Sequence, residues 1–402
     1  MSDAEVTQWL SRRAVVLEAP LDDDPAGAHE LAAWTPGAGA RVVGLGLTVV
    51  GTRELPRLAH RLLDHLVRRH GVRTLALQAS ESAATLVDDH VRRGTGSAGD
   101  ALMSLGSWSW NTREMLDLVH GLAEHNRGAD PADRIAVVGV DPTHPATAVR
   151  VVGAFLRAAA PDELPPVAEQ LADLALGRGG PASVPAVDQV RAVLARDVPA
   201  LVAATSPAQH AEALRHAAFL ARAAELAAVP AAQAEAVGSR LRAEALLAEA
   251  DPEVGGVAFW GHADHVVVRD DPMTTGAHLR AHLEDGYYGL AITAGQGRLR
   301  ALRRRALSGR SRTPKPYRLP APATGTLEAT LGGATPHDHL VDLRLPDAPA
   351  PVDAWLAAMT TRRSVGDEVS TKAPATATVP CVPGPELDGL ALVRSVQPAW
   401  AR

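Results

Sequence analysis

Val257-Ala258-Phe259-Trp260-Gly261-His262-Ala263-Asp264-His265 is a short apolar run that stops at a glycine, with two histidines three residues apart at its end. The run suits a buried strand, and the glycine permits the sharp exit that ends it. Open α/β sheets place their ligands just past the carboxyl ends of their strands, so His262 and His265 read as one wall of a pocket. Three earlier runs end comparably: Arg41 to Gly46, leading into Leu47 to Val50; Val72 to Gln78; and Arg134 to Asp141. Helical spacing separates them, with Leu55, Leu58, Leu62, Leu63 and Leu66 inside Arg53 to Arg69, and a second helical run from Ser80 to Arg93. Thr112 or Asn111 is placed to cap a further helix running to Asn126. Apolar runs alternating with helical runs in this way predict parallel βα units.

The pattern changes between about 146 and 250, where alanine, leucine and arginine recur at helical spacing with no strand candidate. Strands resume at Val254 to Gly261, Gly289 to Ala294 and His339 to Leu345, with a helix around Ala277 to Leu283 and a last strand within Leu387 to Val396. The expected fold is α/β: a mainly parallel central sheet flanked by helices, with an inserted helical lid. Residues 1–145 form an N-terminal α/β half, 146–250 the insertion, and 251–402 the half that completes the sheet. Residues 1 to about 38 read as an amphipathic lead-in interrupted by Pro20 and the Asp22-Asp23-Asp24 run. The basic segment Arg298 to Lys315 reads as an exposed loop or helix end, and 346 to 380 as proline-rich and irregular.

Composition narrows the function. A chain of 402 residues is long enough for one large α/β domain with an insertion, and 46% hydrophobic residues is ordinary for a globular protein. Only 3% are aromatic, so alanine, valine and leucine fill most of the core. A net charge of −6 with no long basic block gives no support for nucleic-acid binding. Cys381 is the single cysteine, so neither an intrachain disulfide nor a cysteine-based zinc site is possible. No apolar segment reaches the ~18 residues of a membrane span, and the start, Met1-Ser2-Asp3-Ala4-Glu5, is acidic where a secretory signal is basic. A soluble, cytoplasmic protein is expected, with no membrane or nucleic-acid partner; oligomeric state is left open.

A His-x-x-His pair serves as two metal ligands, as an acid and a base, or as two satisfied structural residues. A metal would need a third ligand. Asp264 or Asp141 is imaginable there, but no spaced third histidine or glutamate accompanies the pair, so no metal and no cofactor is expected. Asp141 also suits a turn cap, and Trp108 and Trp110 suit core anchors, with Trp110 kept as a candidate ligand contact. Gly94-Thr95-Gly96-Ser97-Ala98-Gly99 spells a dinucleotide fingerprint but follows a helical run instead of a strand, so it reads as a loop. A Gly-x-Ser-x-Gly elbow and a P-loop are both missing.

In joint order these segments resemble the erythromycin esterase family. That family opens with a strand and Gly-Glu-Ala-Thr-His-Gly-Thr-x-Glu; this chain has Gly46-Leu47-Thr48-Val49-Val50-Gly51-Thr52-Arg53-Glu54. Trp108-Ser109-Trp110-Asn111 is similar to its Trp-x-Trp-Asn segment, Gly139-Val140-Asp141 to its Gly-x-Asp strand end, and Gly261-His262-Ala263-Asp264-His265 to its Gly-His-Asn-x-His. The resemblance spans roughly residues 40 to 395 and implies an α/β core with a helical lid over a deep cleft. It also exposes four departures. Where the family places the Glu and His that activate water, this chain has Leu47 and Val50. A family arginine corresponds to Ala59, and a family glutamate to Gln78. Losing a general base alone costs about 10²- to 10⁴-fold in rate. What the resemblance then implies is a polyketide-like natural-product tailoring enzyme working without activated water, by cyclisation or elimination. His262 and His265 would be its acid–base pair, Gln78 and Asp141 polar orienters, and Leu47, Val50 and Ala59 an apolar wall. Two alternatives stay open: a hydrolase with a rearranged site, and a catalytically silent binding protein.

Overall fold

The computed structural model describes residues 3–18, 29–37, 39–305, 309–310, 313–344, 348–370 and 377–402; Pro20, Asp22-Asp23-Asp24 and Leu345 lie outside them. Among the described residues the central sheet has eleven strands, eight of which form its continuous path: β1 Val15–Val16, β2 Val42–Leu47, β3 Val72–Ser80, β4 Ala136–Asp141, β5 Gly256–His262, β6 Tyr287–Arg305, β7 His339–Asp342 and β8 Gly389–Val396. Their spatial order is β1-β7-β8-β6-β2-β5-β3-β4. From β8 through β4 every pairing is parallel; β7 runs antiparallel to β8, and β1 to β7. The expected α/β class with a mainly parallel sheet is therefore what forms. Its central strands are apolar on both faces because helices cover both, and all six residues of β2 are buried.

The chain leaves β2 toward β3 and β4 on one side, and β5 then inserts beside β2 before β6 takes the opposite side. Such a reversal opens a crevice at the carboxyl ends of the central strands. β2 and β5 are in register, so Leu47 stands directly beside His262 at that end. Gly46 makes the close approach possible. A Cβ there would lie 2.8 Å from the Ala263 Cα and 2.9 Å from the Val266 Cβ, so only glycine lets the short helix Ala263–Val266 rest on β2.

Two segments differ from expectation. Arg298 to Arg305 is not a loop or helix end but the second half of β6, paired antiparallel with Lys315–Leu319. From 298 to 301 its charges alternate with inward residues: Leu299 and Ala301 are fully buried while Arg298 is exposed and Arg300 half-buried. That is a two-residue period hidden under a basic composition. The stretch 346–380 carries a helix, Ala350–Ala357, the strand Thr360–Arg363 paired with Thr378–Cys381, and Glu368–Val369 paired with β6.

The insertion is helical throughout its described length. Ala146–Ala159, Ala168–Ala175, Ser183–Ala195, Val198–Ala204 and Pro207–Ala228 close around a core of their own that includes Leu156, Val190 and Leu220. The last helix, Ala231–Glu249, belongs elsewhere: Ala243 and Leu246 pack against Val140, Val257 and Phe259 of the sheet. That helix flanks the α/β body, while the insertion's own apolar cluster is drawn from the helices before it. An ion pair ties the two parts together, Arg222 of the insertion donating to Glu81 at 2.8 Å. Burial pushes the Glu81 carboxyl up to about 7, against the pull of Arg222. Among the described residues no helix is long and apolar enough to cross a membrane.

Candidate active site

A cavity of about 240 Å³ opens at the carboxyl ends of β2, β3 and β5. Leu47, Val50, Gln78, Trp110, Trp260 and His262 line it, together with Thr52, Ser107, Ser109, Thr112 and Asp367. Five of the eight residues singled out from sequence thus meet at one cavity: Leu47, Val50, Gln78, Trp110 and His262. Ala59 does not. It is fully buried in the main core on the inward face of helix Glu54–His70, with no surface left for a ligand.

His265 and Asp141 also lie off this cavity's lining. His262 caps the Ala263–Val266 helix in an extended backbone conformation, so its ring leaves in a different direction from that of His265, which is inside the helix. The His265 Nδ1 instead lies 3.2 Å from an Arg242 nitrogen and 3.4 Å from a Glu235 oxygen. Arg242, from the flanking helix Ala231–Glu249, is buried and also reaches Thr275 at 3.2 Å and the Asp141 carboxylate at 3.6 Å. Asp141 accepts the Thr143 N–H at 2.9 Å, the turn-capping use. These contacts make His265 and Asp141 members of a half-buried polar network around Arg242, at the ends of β4 and β5. A guanidinium against the imidazole also disfavours a metal there, and among the described residues no group of three or more His, Cys, Asp or Glu could hold one.

Gln78 shows what its amide is for. Its Oε1 accepts the His262 backbone N–H at 2.7 Å, holding the exit from β5 in place. Gly261 allows this, since a Cβ there would come within 2.7 Å of the same oxygen.

His262 is enclosed, and burial lowers its pKa to about 4; the Asp264 carboxylate opposes the shift, while His265 and Arg362 add to it. The imidazole is therefore neutral at ordinary pH. Asp264 lies 3.5 Å from its Nδ1 and is itself fixed, accepting from Arg362 at 2.6 Å and from Ser364 at 2.7 Å. Burial works against ionising Asp264, yet the His262 and Arg362 charges and the Ser364 and Arg362 hydrogen bonds hold it down at about 2. Above pH 4, where the imidazole is uncharged, Arg362 and Ser364 supply that stabilisation. The ring proton has two homes. On Nε2 it finds no well-formed hydrogen bond, and Nδ1 accepts the Asp264 N–H at 3.2 Å. On Nδ1 it turns to the Asp264 carboxylate and leaves Nε2 as a basic lone pair.

Sequence reasoning missed Arg362, Ser364 and Asp367, because the stretch that carries them has no periodicity of its own. Asp367 brings a carboxylate to the cavity wall, where Ser107 donates to it at 2.8 Å and Ser109 lies 2.9 Å from Ser107. Trp108 secures the same loop, its indole N–H donating to the Asp367 carbonyl at 3.2 Å.

Sheet order and cavity together define an α/β protein with its candidate site at the carboxyl ends of central parallel strands, beside a helical insertion. The erythromycin esterase family model matches residues 67–396, and the chain belongs to that family of hydrolase-type enzymes. The match begins downstream of Gly46 to Glu54, the segment in which Leu47 and Val50 stand. Among solved structures, a Bacillus cereus protein is similar at 19% identity and TM-score 0.81 over all of both chains. A succinoglycan biosynthesis protein follows at 17% identity and TM-score 0.78, over 100% of this chain and 99% of that one. A point mutant of the erythromycin esterase EreC, in its open conformation, shares 16% identity at TM-score 0.65, over 96% and 97% of the two chains. At these identities the likeness is one of fold. No curated protein matches the chain at a significant level.

Proposed function

We propose that the protein is a tailoring enzyme for a polyketide-like or other apolar natural product, carrying out acid–base chemistry such as ring closure or elimination with His262 as the base. The observation that carries this reading is the pairing of Leu47 with His262 on adjacent strands: a neutral imidazole lines the cavity, and the residue directly beside it carries no group that activates water. The leucine wall disfavours a positioned water and burial keeps the imidazole uncharged; Nε2 carries no exposed surface, so the ligand reaches that lone pair by parting the ring from its neighbours. Asp264 is the group that sets the ring tautomer. At about 240 Å³ the cavity is smaller than the ~300–1,000 Å³ that encloses a drug-sized ligand, so it takes one ring or one arm of a larger molecule.

A second reading, hydrolysis with a rearranged site, is favoured by Asp367 and its Ser107–Ser109 chain, which supply polar atoms able to hold a water. Exposure of a natural-product extract to wild type in H₂¹⁸O, with untargeted mass spectrometry, separates the two. The tailoring reading expects a converted compound of unchanged or dehydrated formula with no ¹⁸O. Label appearing in the product means hydrolysis, and no converted compound at all means neither chemistry.

Asp264→Asn keeps the shape but removes the charge that directs the Nδ1 proton. Turnover is expected to fall roughly 10- to 100-fold. Because the carboxylate favours the imidazolium, its loss moves the acid limb of the pH–rate profile below pH 4, not above it. An unchanged rate and profile would remove Asp264 from the mechanism.

A further inference from the structure

The segment Gln397 to Arg402 lies across two helix starts as a strap, and Ala399 within it lines the cavity. Thr52 bridges to Pro398 and Thr112 to Ala401. Backbone groups hold the strap from both sides: Arg53 N–H to the Gln397 carbonyl at 2.9 Å, Ala399 N–H to Gly51 at 3.0 Å, and Arg113 N–H to Trp400 at 3.2 Å. Two carboxylates complete the attachment, Glu54 accepting the Gln397 N–H at 2.7 Å and Glu114 the Trp400 N–H at 3.1 Å. None of these contacts uses an arginine side chain.

Three guanidinium groups nevertheless surround the Trp400 indole. Those of Arg53, Arg57 and Arg113 lie 5.1, 5.1 and 4.8 Å from the ring centre. Each follows a cavity-lining residue in sequence, Thr52, Pro56 or Thr112, and Trp400 follows Ala399. Sharing one ring, no two can be more than about 10 Å apart, roughly one Debye length at physiological salt, so their mutual repulsion is only partly screened. Stacking on the indole returns about 0.5–1 kcal/mol per cation at an exposed site. Arg53 has Glu54 beside it at 2.9 Å. Arg113 is exposed and forms no ion pair among the described residues, while Trp400 is 39% exposed. Among the described residues no carboxylate balances the charge at Arg113.

We infer that this rim is an oxyanion subsite of the cavity: Arg113, beside Arg53 and Arg57, receives a carboxylate or phosphate carried by the ligand, whose adjoining body passes Ala399 into the cavity. Guanidinium groups pair with such oxyanions through parallel N–H donors. This rests on the cavity being the ligand site, and it narrows the substrate class to acids or phosphate esters of apolar molecules.

Calorimetry of the full chain with benzoate, phenyl phosphate and benzamide tests it, because benzoate and benzamide share a shape and differ in charge. Wild type is expected to bind one or both anions at least about tenfold tighter than benzamide. That preference falls to within about twofold in Arg113→Gln, and it erodes in wild type between 50 and 500 mM salt, roughly as expected for exposed charges. Equal binding of benzoate, phenyl phosphate and benzamide by wild type, or a preference that survives Arg113→Gln, overturns the subsite and leaves the cavity reading standing. Leu47→Trp, which fills the cavity, separates the two ideas. It should abolish binding of all three probes; anion binding that persists in it, or no binding of any probe to wild type, overturns both.

Discussion

His262→Ala is expected to abolish conversion of the natural ligand, lowering kcat/KM by about 10²- to 10⁴-fold, the range for loss of a general base. Binding should survive, because the other lining side chains stay in place and alanine only enlarges the cavity. The pH profile of wild type carries the same information. A free histidine would put the acid limb near pH 6.5, whereas burial places that of His262 at about 4. Activity should therefore rise through pH 4 and stay level to neutrality, since the base must be uncharged to work. A limb near 6.5, or a His262→Ala enzyme with unaltered turnover, would show that this imidazole takes no proton. His265→Ala serves as the comparison. It sits with Arg242 and Glu235 away from the cavity, so its loss should appear in stability before turnover.

Gly51→Ala is expected to give the largest loss of stability at the site, about 3 kcal/mol or more, and to close the cavity rim. Gly51 has φ +77°, a conformation side chains resist, and a Cβ there would lie 2.0 Å from the Arg300 carbonyl oxygen and 2.9 Å from Trp108. Backbone on both sides prevents relief. The Gly51 carbonyl accepts the Arg300 N–H at 2.8 Å and the Ala399 N–H at 3.0 Å, so the loop cannot shift without losing β6 or the strap. Chemical denaturation of the variant measures the loss, and a midpoint matching wild type would refute it.

Much of the fold was legible because its signals are local. The runs read as ending at Gly46, Gln78, Asp141 and Gly261 became β2, β3, β4 and β5, with ends within two residues of those positions, and Thr112 caps its helix by accepting the Met115 N–H. Hydrophobic period and capping chemistry act over a few residues, so they can be read in sequence order. The arginine-rich half of β6 was obscured because composition masked its two-residue alternation.

The sequence by itself determined the α/β class, the helical insertion, and the delivery of Leu47, Gln78 and His262 to one end of the sheet. Strand ends are fixed by the runs that precede them. Tertiary structure alone decided which neighbours those groups meet. Two histidines three residues apart looked like a pair, yet the backbone turns at His262 and sends the second ring toward Arg242. The partners that tune the first, Asp264 with Arg362 and Ser364, come from segments about 100 residues apart, and Asp367 reaches the cavity from the same distant loop. Contacts of that kind arise from chain segments folding onto one another, and they leave no periodicity in the sequence for a local reading to find.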